Sequence, residues 1–182
     1  MRNIFSVASL LLPITALLTP LAEAHKVIGI ADGDTMTVLV GKKPVKIRLA
    51  NIDAPEKAQT FGQRSKQSLS DICWGKDAQF DVQNQDRYGR TVAVVRCGGI
   101  EANRSQVQKG MAWVYPNYNK DAALPPLEQA ARGAKAGLWS DPHAQAPWDF
   151  RHRGKSTQDA TCHVGPQGGR YQLINGKKRY GC

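Results

Sequence analysis

Three short stretches of the 182-residue sequence carry residue types that can do chemistry together: Asp32-Gly33-Asp34-Thr35, the run from Arg48 to Asp53-Ala54-Pro55-Glu56, and Asp86-Arg87-Tyr88-Gly89-Arg90. Each sets carboxylates or guanidiniums among turn-forming residues. Hard carboxylate oxygens select Ca²⁺, Mg²⁺ or Mn²⁺, and two aspartates from neighbouring strand ends, a backbone carbonyl and waters suffice for calcium. Asp34 and Asp53 are the candidate ligands. An EF-hand is excluded, because a loop beginning at Asp32 needs its bidentate glutamate where Lys43 stands. Attack on a phosphodiester builds negative charge on the equatorial oxygens, and fork-shaped donors clamp that charge. Arg48 and Arg90 meet this need, while Glu56, three residues beyond a ligand, can orient or deprotonate the attacking water. The four histidines, His25, His143, His152 and His163, fall near the N-terminus, in late loops or in the tail, and no Gly-x-Ser-x-Gly element supports a serine nucleophile. Taken singly, each turn has an ordinary reading as a hairpin or helix-entry loop. Their combination points to phosphodiester hydrolysis.

The elements that must position these residues follow from periodicity. Residues 26 to 50 alternate apolar and polar positions, broken at Asp32-Gly33 and at Gly41-Lys42-Lys43-Pro44, which predicts three strands. Leu69, Ile72 and Cys73 take helical spacing between Gly62 and Trp74, with Gly75 as the stop. Ala78, Phe80 and Val82, then Val92, Val94 and Val95, predict two more strands around the polar turn at Asp86 to Gly89. Helices are predicted over 101 to 109 and from Pro126 to Ala136, ended by Gly110 and Gly137. The expected class is α+β, mainly β: a five-stranded barrel of oligonucleotide-binding type with three helices.

Arg2, an apolar run from Ile4 to Leu21 and the tripeptide Ala22-Glu23-Ala24 predict a signal peptide over residues 1 to 24, cut before His25. No second apolar stretch is long enough to cross a bilayer, so no stable membrane insertion is expected. Domain organisation is then a main domain over 25 to 150 and a basic appendage over 151 to 182, in an exported protein of periplasmic or extracellular residence. The sequence carries 25 Lys and Arg against 15 Asp and Glu, a net charge of +10 that implies a polyanionic partner and no particular protein partner. Four cysteines in an oxidising compartment are expected to pair. Of the three connectivities, Cys73 with Cys97 and Cys162 with Cys182 is preferred, because the first two fall in the main domain and the others bracket the tail. A zinc site is the rival reading, but no C-x-x-C pair supports it.

The matching pieces now stand in order: Asp32 to Thr35, Arg48-Leu49 with Ile52 to Glu56, Asp86 to Arg90, Ala112-Trp113-Val114-Tyr115 and Gly137-Leu138-Trp139. From about Val27 to Trp139 the chain resembles the thermonuclease, or staphylococcal-nuclease-like, family. The resemblance implies an oligonucleotide-binding barrel, Ca²⁺ as cofactor, and cleavage of DNA and RNA to products ending in 3′-phosphate. It implies that Asp34 and Asp53 hold Ca²⁺ with the carbonyl of Ala54, that Glu56 acts through the attacking water, and that Arg48 and Arg90 bind the scissile phosphate. Arg87 and Tyr88 match positions that bind a terminal phosphate, and Tyr115 offers a ring for base stacking. Trp113 stands where the best-known member has tyrosine, and core packing is the reading preferred for Trp113 and Trp139.

Two further readings compete with a calcium-dependent endonuclease. A non-catalytic oligonucleotide-binding module accounts for the fold, yet such modules lose acidic or arginine positions that all stand here. An exported polyanion-binding adhesin explains the charge but not the carboxylates. The tail, with its Gly165-Pro166-Gln167-Gly168-Gly169 pattern, weakly resembles small basic adaptor modules; a second grip on nucleic acid, an envelope anchor and a disulfide-closed solubilising end are its three readings.

Overall fold

The computed structural model describes residues 23–156, 159–174 and 177–182. The alternation near the N-terminus becomes a meander of β1 (His25–Ile30), β2 (Thr35–Val40) and β3 (Lys43–Leu49). Val27, Met36, Val38, Ile47 and Leu49 point inward and are buried, as the two-residue period of a strand requires when one face meets a core. After the short β4 (Ile52–Asp53) come α1 (Gly62–Cys73), β5 (Asp77–Gln85) and β6 (Thr91–Cys97). β1 pairs with β2 and with β5, β2 with β3, and β5 with β6, all antiparallel. One parallel pairing, Ile47 to Leu49 of β3 against Thr91 to Ala93 of β6, closes the ring. The result is the five-stranded barrel of the expected α+β class, and closure leaves few exposed edges.

Beyond the barrel lie β7 (Ile100–Glu101), α2 (Ala102–Gln108), β8 (Trp113–Val114) and α3 (Leu124–Gly133). A 3-10 turn (Gly137–Ser140) and α4 (Pro147–Ser156) follow. Leu69 and Ile72 of α1, Val107 of α2 and Leu124 of α3 join the barrel residues in one buried cluster. Removing this apolar surface from water is the main force that seats the helices. The Cys73–Cys97 disulfide joins the last residue of α1 to the last residue of β6.

The tail is more regular than its composition suggests. β9 (Asp159–Val164), β10 (Arg170–Ile174) and β11 (Lys177–Tyr180) form a separate antiparallel sheet, and Cys162 pairs with Cys182 across it. Other departures have local causes. The helix expected over Pro126 to Ala136 begins at Leu124, because Pro125 and Pro126 fit the first turn, whose N–H groups lack partners anyway. Gly137 opens the 3-10 turn instead of merely ending α3. A further helix, α4, forms where a loop and the start of the appendage were expected. Residues 1 to 22 of the expected signal peptide lie outside the described residues. Among the described residues, no helix is long and apolar enough to cross a membrane.

Candidate active site

Register begins the assembly of the site. Thr35 at the start of β2 pairs with Arg48 near the end of β3, so Asp34 and Arg48 meet at one rim of the barrel, and the Leu49 N–H donates to the Asp34 carbonyl at 2.7 Å. Asn51, at φ 68, then turns the chain back; asparagine is among the few non-glycine residues that tolerate this left-handed conformation. The carbonyl of Asn51 accepts from the Tyr115 N–H at 2.9 Å, and its side-chain oxygen accepts from the Lys120 N–H at 3.0 Å. β4 consequently lies along β8, Asp53 opposite Trp113 and Ile52 opposite Val114. Gly33 lets the Asp32–Asp34 loop approach α1, since a Cβ at this position would run into Ser65 Oγ and Ala54 Cβ. The Gln106 side-chain amide fastens the same loop by donating to the Gly33 carbonyl at 2.6 Å.

Arg48 organises the centre. Its Nη2 donates to Asp34 Oδ2 at 3.1 Å and to Asp53 Oδ1 at 2.7 Å, while Nη1 donates to the Ile52 carbonyl at 3.2 Å. Asp34 also accepts from the Ala54 N–H at 3.0 Å and from the Thr35 hydroxyl at 2.9 Å. These carboxylates are nearly sealed from solvent, Asp34 at 5% exposure and Asp53 at 1%. Burial, and secondarily the charge of Asp34, push the Asp32 carboxyl up to about 6. Burial raises Asp53 as well; a hydrogen bond from Arg151 opposes the shift and the charge of Asp34 adds to it. Burial works against the charge of Arg48, but Asp34 and Asp53 outweigh it and hold the guanidinium more firmly protonated than usual. Asp34 and Asp53, close together and nearly sealed from solvent, form a locus that attracts positive charge.

Arg90 reaches the centre through Thr35, whose hydroxyl accepts from Arg90 Nη1 at 3.5 Å. Asp86 orients Arg90 from behind: Oδ2 accepts from Arg90 Nε at 2.7 Å, and Oδ1 accepts from the backbone N–H groups of Tyr88 and Arg90 at 2.9 and 3.0 Å. Burial opposes ionisation of Asp86, but these hydrogen bonds prevail and hold its carboxyl below the usual carboxylate range. The structure brings Asp34, Arg48, Asp53 and Ala54 into one contact group and joins Arg90 to it. Arg87 and Tyr88 stand farther out on the β5–β6 turn, with the Arg87 guanidinium 4.9 Å and the Arg90 guanidinium 5.5 Å from the centre of the Tyr88 ring. Tyr88 is exposed. Arg48 lies 5.9 Å from the centre of the Tyr115 ring. Trp139 is buried and meets Trp113 edge-on at 4.3 Å in a small second cluster.

Sequence reasoning missed Arg151 and Gln59. Arg151 Nη2 donates to Asp53 Oδ2 at 2.7 Å, and Nη1 donates to Asp53 Oδ1 at 3.2 Å and to Glu56 Oε1 at 2.8 Å. It is Arg151, therefore, that links Glu56 to the central group. Burial disfavours its charge, but the hydrogen bonds it donates to Asp53 and Glu56 prevail and keep it ionised. Gln59 Oε1 accepts from the Glu56 N–H at 2.8 Å, and Gln59 Nε2 donates to the Gln145 carbonyl at 3.0 Å. No local pattern announces an arginine 98 residues from its partner; only the one-turn spacing of Trp148 and Arg151 hints at a functional helix face.

The family model described as staphylococcal nuclease homologue matches residues 46–141. The chain is 44% identical over 142 residues to a protein named micrococcal nuclease from Shigella flexneri, covering 72% of this chain and 82% of that one. It is 42% identical over 145 residues to Protein ParB of Escherichia coli, covering 74% and 82%, respectively. An uncharacterized endonuclease of Haemophilus influenzae shares 41% identity over 150 residues, covering 81% of this chain and 84% of its own. With the barrel, the carboxylate pair and the arginines already in place, these matches establish that the chain belongs to the staphylococcal nuclease family.

Proposed function

We propose that this protein is an exported, calcium-dependent endonuclease that hydrolyses DNA and RNA to products with 3′-phosphate ends. The observation that carries the reading is the buried Asp34–Arg48–Asp53 group, in which one guanidinium nitrogen contacts both carboxylates. Two sealed, mutually repelling carboxylates are a donor set that fits a hard divalent cation, and Asp34 and Asp53, with the carbonyl of Ala54, would hold it. Such a cation, when bound, supplies positive charge against the charge that builds on the phosphoryl oxygens. Glu56 is partly exposed and can accept a proton from a water or orient it for attack on phosphorus. Arg48 and Arg90 present planar forks to the equatorial oxygens, and Asp86 and Thr35 keep Arg90 aimed. Attack that breaks the bond from phosphorus to the 5′ oxygen leaves phosphate on the 3′ side. Arg87 and Tyr88 serve a terminal phosphate, and Tyr115 serves a base.

Export is supported by the apolar N-terminal run with its Ala22-Glu23-Ala24 end and by two disulfides, which persist in oxidising compartments. Residence is periplasmic or extracellular, and a nuclease domain that begins at residue 25 is followed by a basic appendage; the expected boundary after residue 150 falls within α4, whose Arg151 belongs with the nuclease domain. The test is digestion of DNA and RNA with Ca²⁺ and with a chelator. Cleavage with Ca²⁺ alone is expected, giving 3′ ends that a polymerase extends only after phosphatase treatment. Absence of cleavage with every divalent ion would leave the binding-module reading in its place. Fractionation with N-terminal sequencing, expected to begin at His25, checks export.

A further inference from the structure

α4 places two side chains over the site from one face. Trp148 and Arg151 are three residues apart, a spacing that aligns side chains along a helix. The Trp148 ring lies parallel to that of Tyr115, centroids 5.3 Å apart and planes within 2°, and meets Trp113 edge-on at 5.8 Å. One turn on, Arg151 grips both oxygens of Asp53 and one of Glu56. Gln59 fastens the approach to the helix through the Gln145 carbonyl, and Gln59 also holds the Glu56 backbone.

We propose that α4 is a self-inhibitory plug: Arg151 takes the cation's place on Asp53 and ties up the neighbouring Glu56, Trp148 takes a nucleobase's place on Tyr115, and a divalent cation releases the helix. The inference rests on the proposed assignment of Asp53 to the cation and adds an intramolecular competitor to it. The chemistry of each contact is that of the ligand it imitates. A guanidinium supplies positive charge to a nearly sealed carboxylate, and an indole supplies a flat π-face to a tyrosine ring. Stacked at contact distance, Tyr115 and Trp148 leave no slot for a base between them. Arg151 engages both oxygens of Asp53, so a divalent ion that uses this carboxylate competes directly with the guanidinium. Competition of this kind lowers apparent affinity by the fraction of molecules already open. Reciprocity then requires that the bound cation loosen α4 to the same extent.

Calorimetric titration of the full chain with Ca²⁺ alone, wild type against Arg151→Ala, reads the competition without any turnover. The plug predicts affinity about tenfold tighter or more in the variant. Hydrogen exchange of residues 147–156 in the wild type provides the second readout, and exchange there is expected to accelerate when Ca²⁺ is added. Equal affinities, weaker binding by Arg151→Ala, or helix exchange unchanged by a cation that binds would overturn the plug while leaving the cation assignment standing. If neither protein binds Ca²⁺, Mg²⁺ or Mn²⁺, the cation assignment fails and the plug fails with it. Should Arg151→Ala not fold, the wild-type exchange measurement decides alone.

Discussion

Arg48 and Asp53 are five residues apart in the chain and 2.7 Å apart in space, joined across the backward turn at Asn51. The same nitrogen reaches Asp34 at 3.1 Å, and the neighbouring nitrogen holds the Ile52 carbonyl. A lysine offers one ammonium group and no planar fork, so it cannot keep this set of contacts and still face a phosphate. Arg48→Lys is therefore expected to lower kcat by about two orders of magnitude. Steady-state kinetics on single-stranded DNA checks this; turnover within a few-fold of wild type would remove Arg48 from phosphate binding.

Glu56 differs from the aspartates in being substantially exposed, with 40% of its side chain open to solvent. Replacing it should disturb chemistry and spare the fold. Glu56→Gln is expected to cut kcat by about 10² to 10³, the scale of lost general-base assistance. Its melting temperature should stay close to wild type, because the partner it loses, Arg151, forms a partly exposed pair of small worth. A large drop in stability together with normal turnover would reverse the assignment.

Gly33 is required by space and not by backbone angle. A Cβ there meets Ser65 Oγ and Ala54 Cβ, so Gly33→Ala must push the Asp32–Asp34 loop away from α1. Overpacking of this kind costs about 1 to 3 kcal/mol. Urea unfolding is expected to show that loss, and activity should fall with it because Asp34 moves with the loop. Wild-type stability in the alanine variant would mean that the loop is not held against α1.

Asp86 sets a pH dependence at the β5–β6 turn. Its folded pKa lies below the ordinary 3.8, so its contribution to stability is complete above the unfolded value and is lost as pH falls through the folded one. The window is therefore the region below about pH 4. Thermal melting of wild type should fall more steeply there than that of Asp86→Asn, which has no carboxylate to protonate. At neutral pH the variant should turn over more slowly, since Arg90 loses the acceptor that aims it. Parallel melting curves down to pH 2 would argue against the linkage.

The legible part of this protein was local. Alternation that included Val27, Val38, Ile47 and Leu49 marked strands, and apolar spacing at Leu69 and Ile72 marked α1, because burial on one face imposes a repeat on the chain. Ile52–Asp53 and Trp113–Val114 form a strand pair that no repeat can reveal, since two residues have no period. The helix at Pro147–Ser156 was hidden for another reason: its mean hydropathy is low, and it is held by an ion pair and a ring stack instead of an apolar stripe.

By itself, the sequence determined which residue types were present for the chemistry and which turns carried them: Asp34, Arg48, Asp53, Glu56 and Arg90, with hairpins and helices between. Turn residues and side-chain periodicity act over a few positions, so they can be read in one dimension. Tertiary structure decided the parallel closure of β3 on β6, the meeting of Asp34 and Asp53 on a single guanidinium nitrogen, and the arrival of Arg151 and Trp148 over the site. Those contacts join residues far apart in the chain. They exist because the barrel closes and buries its core, which brings separate rims, turns and a late helix within hydrogen-bonding distance.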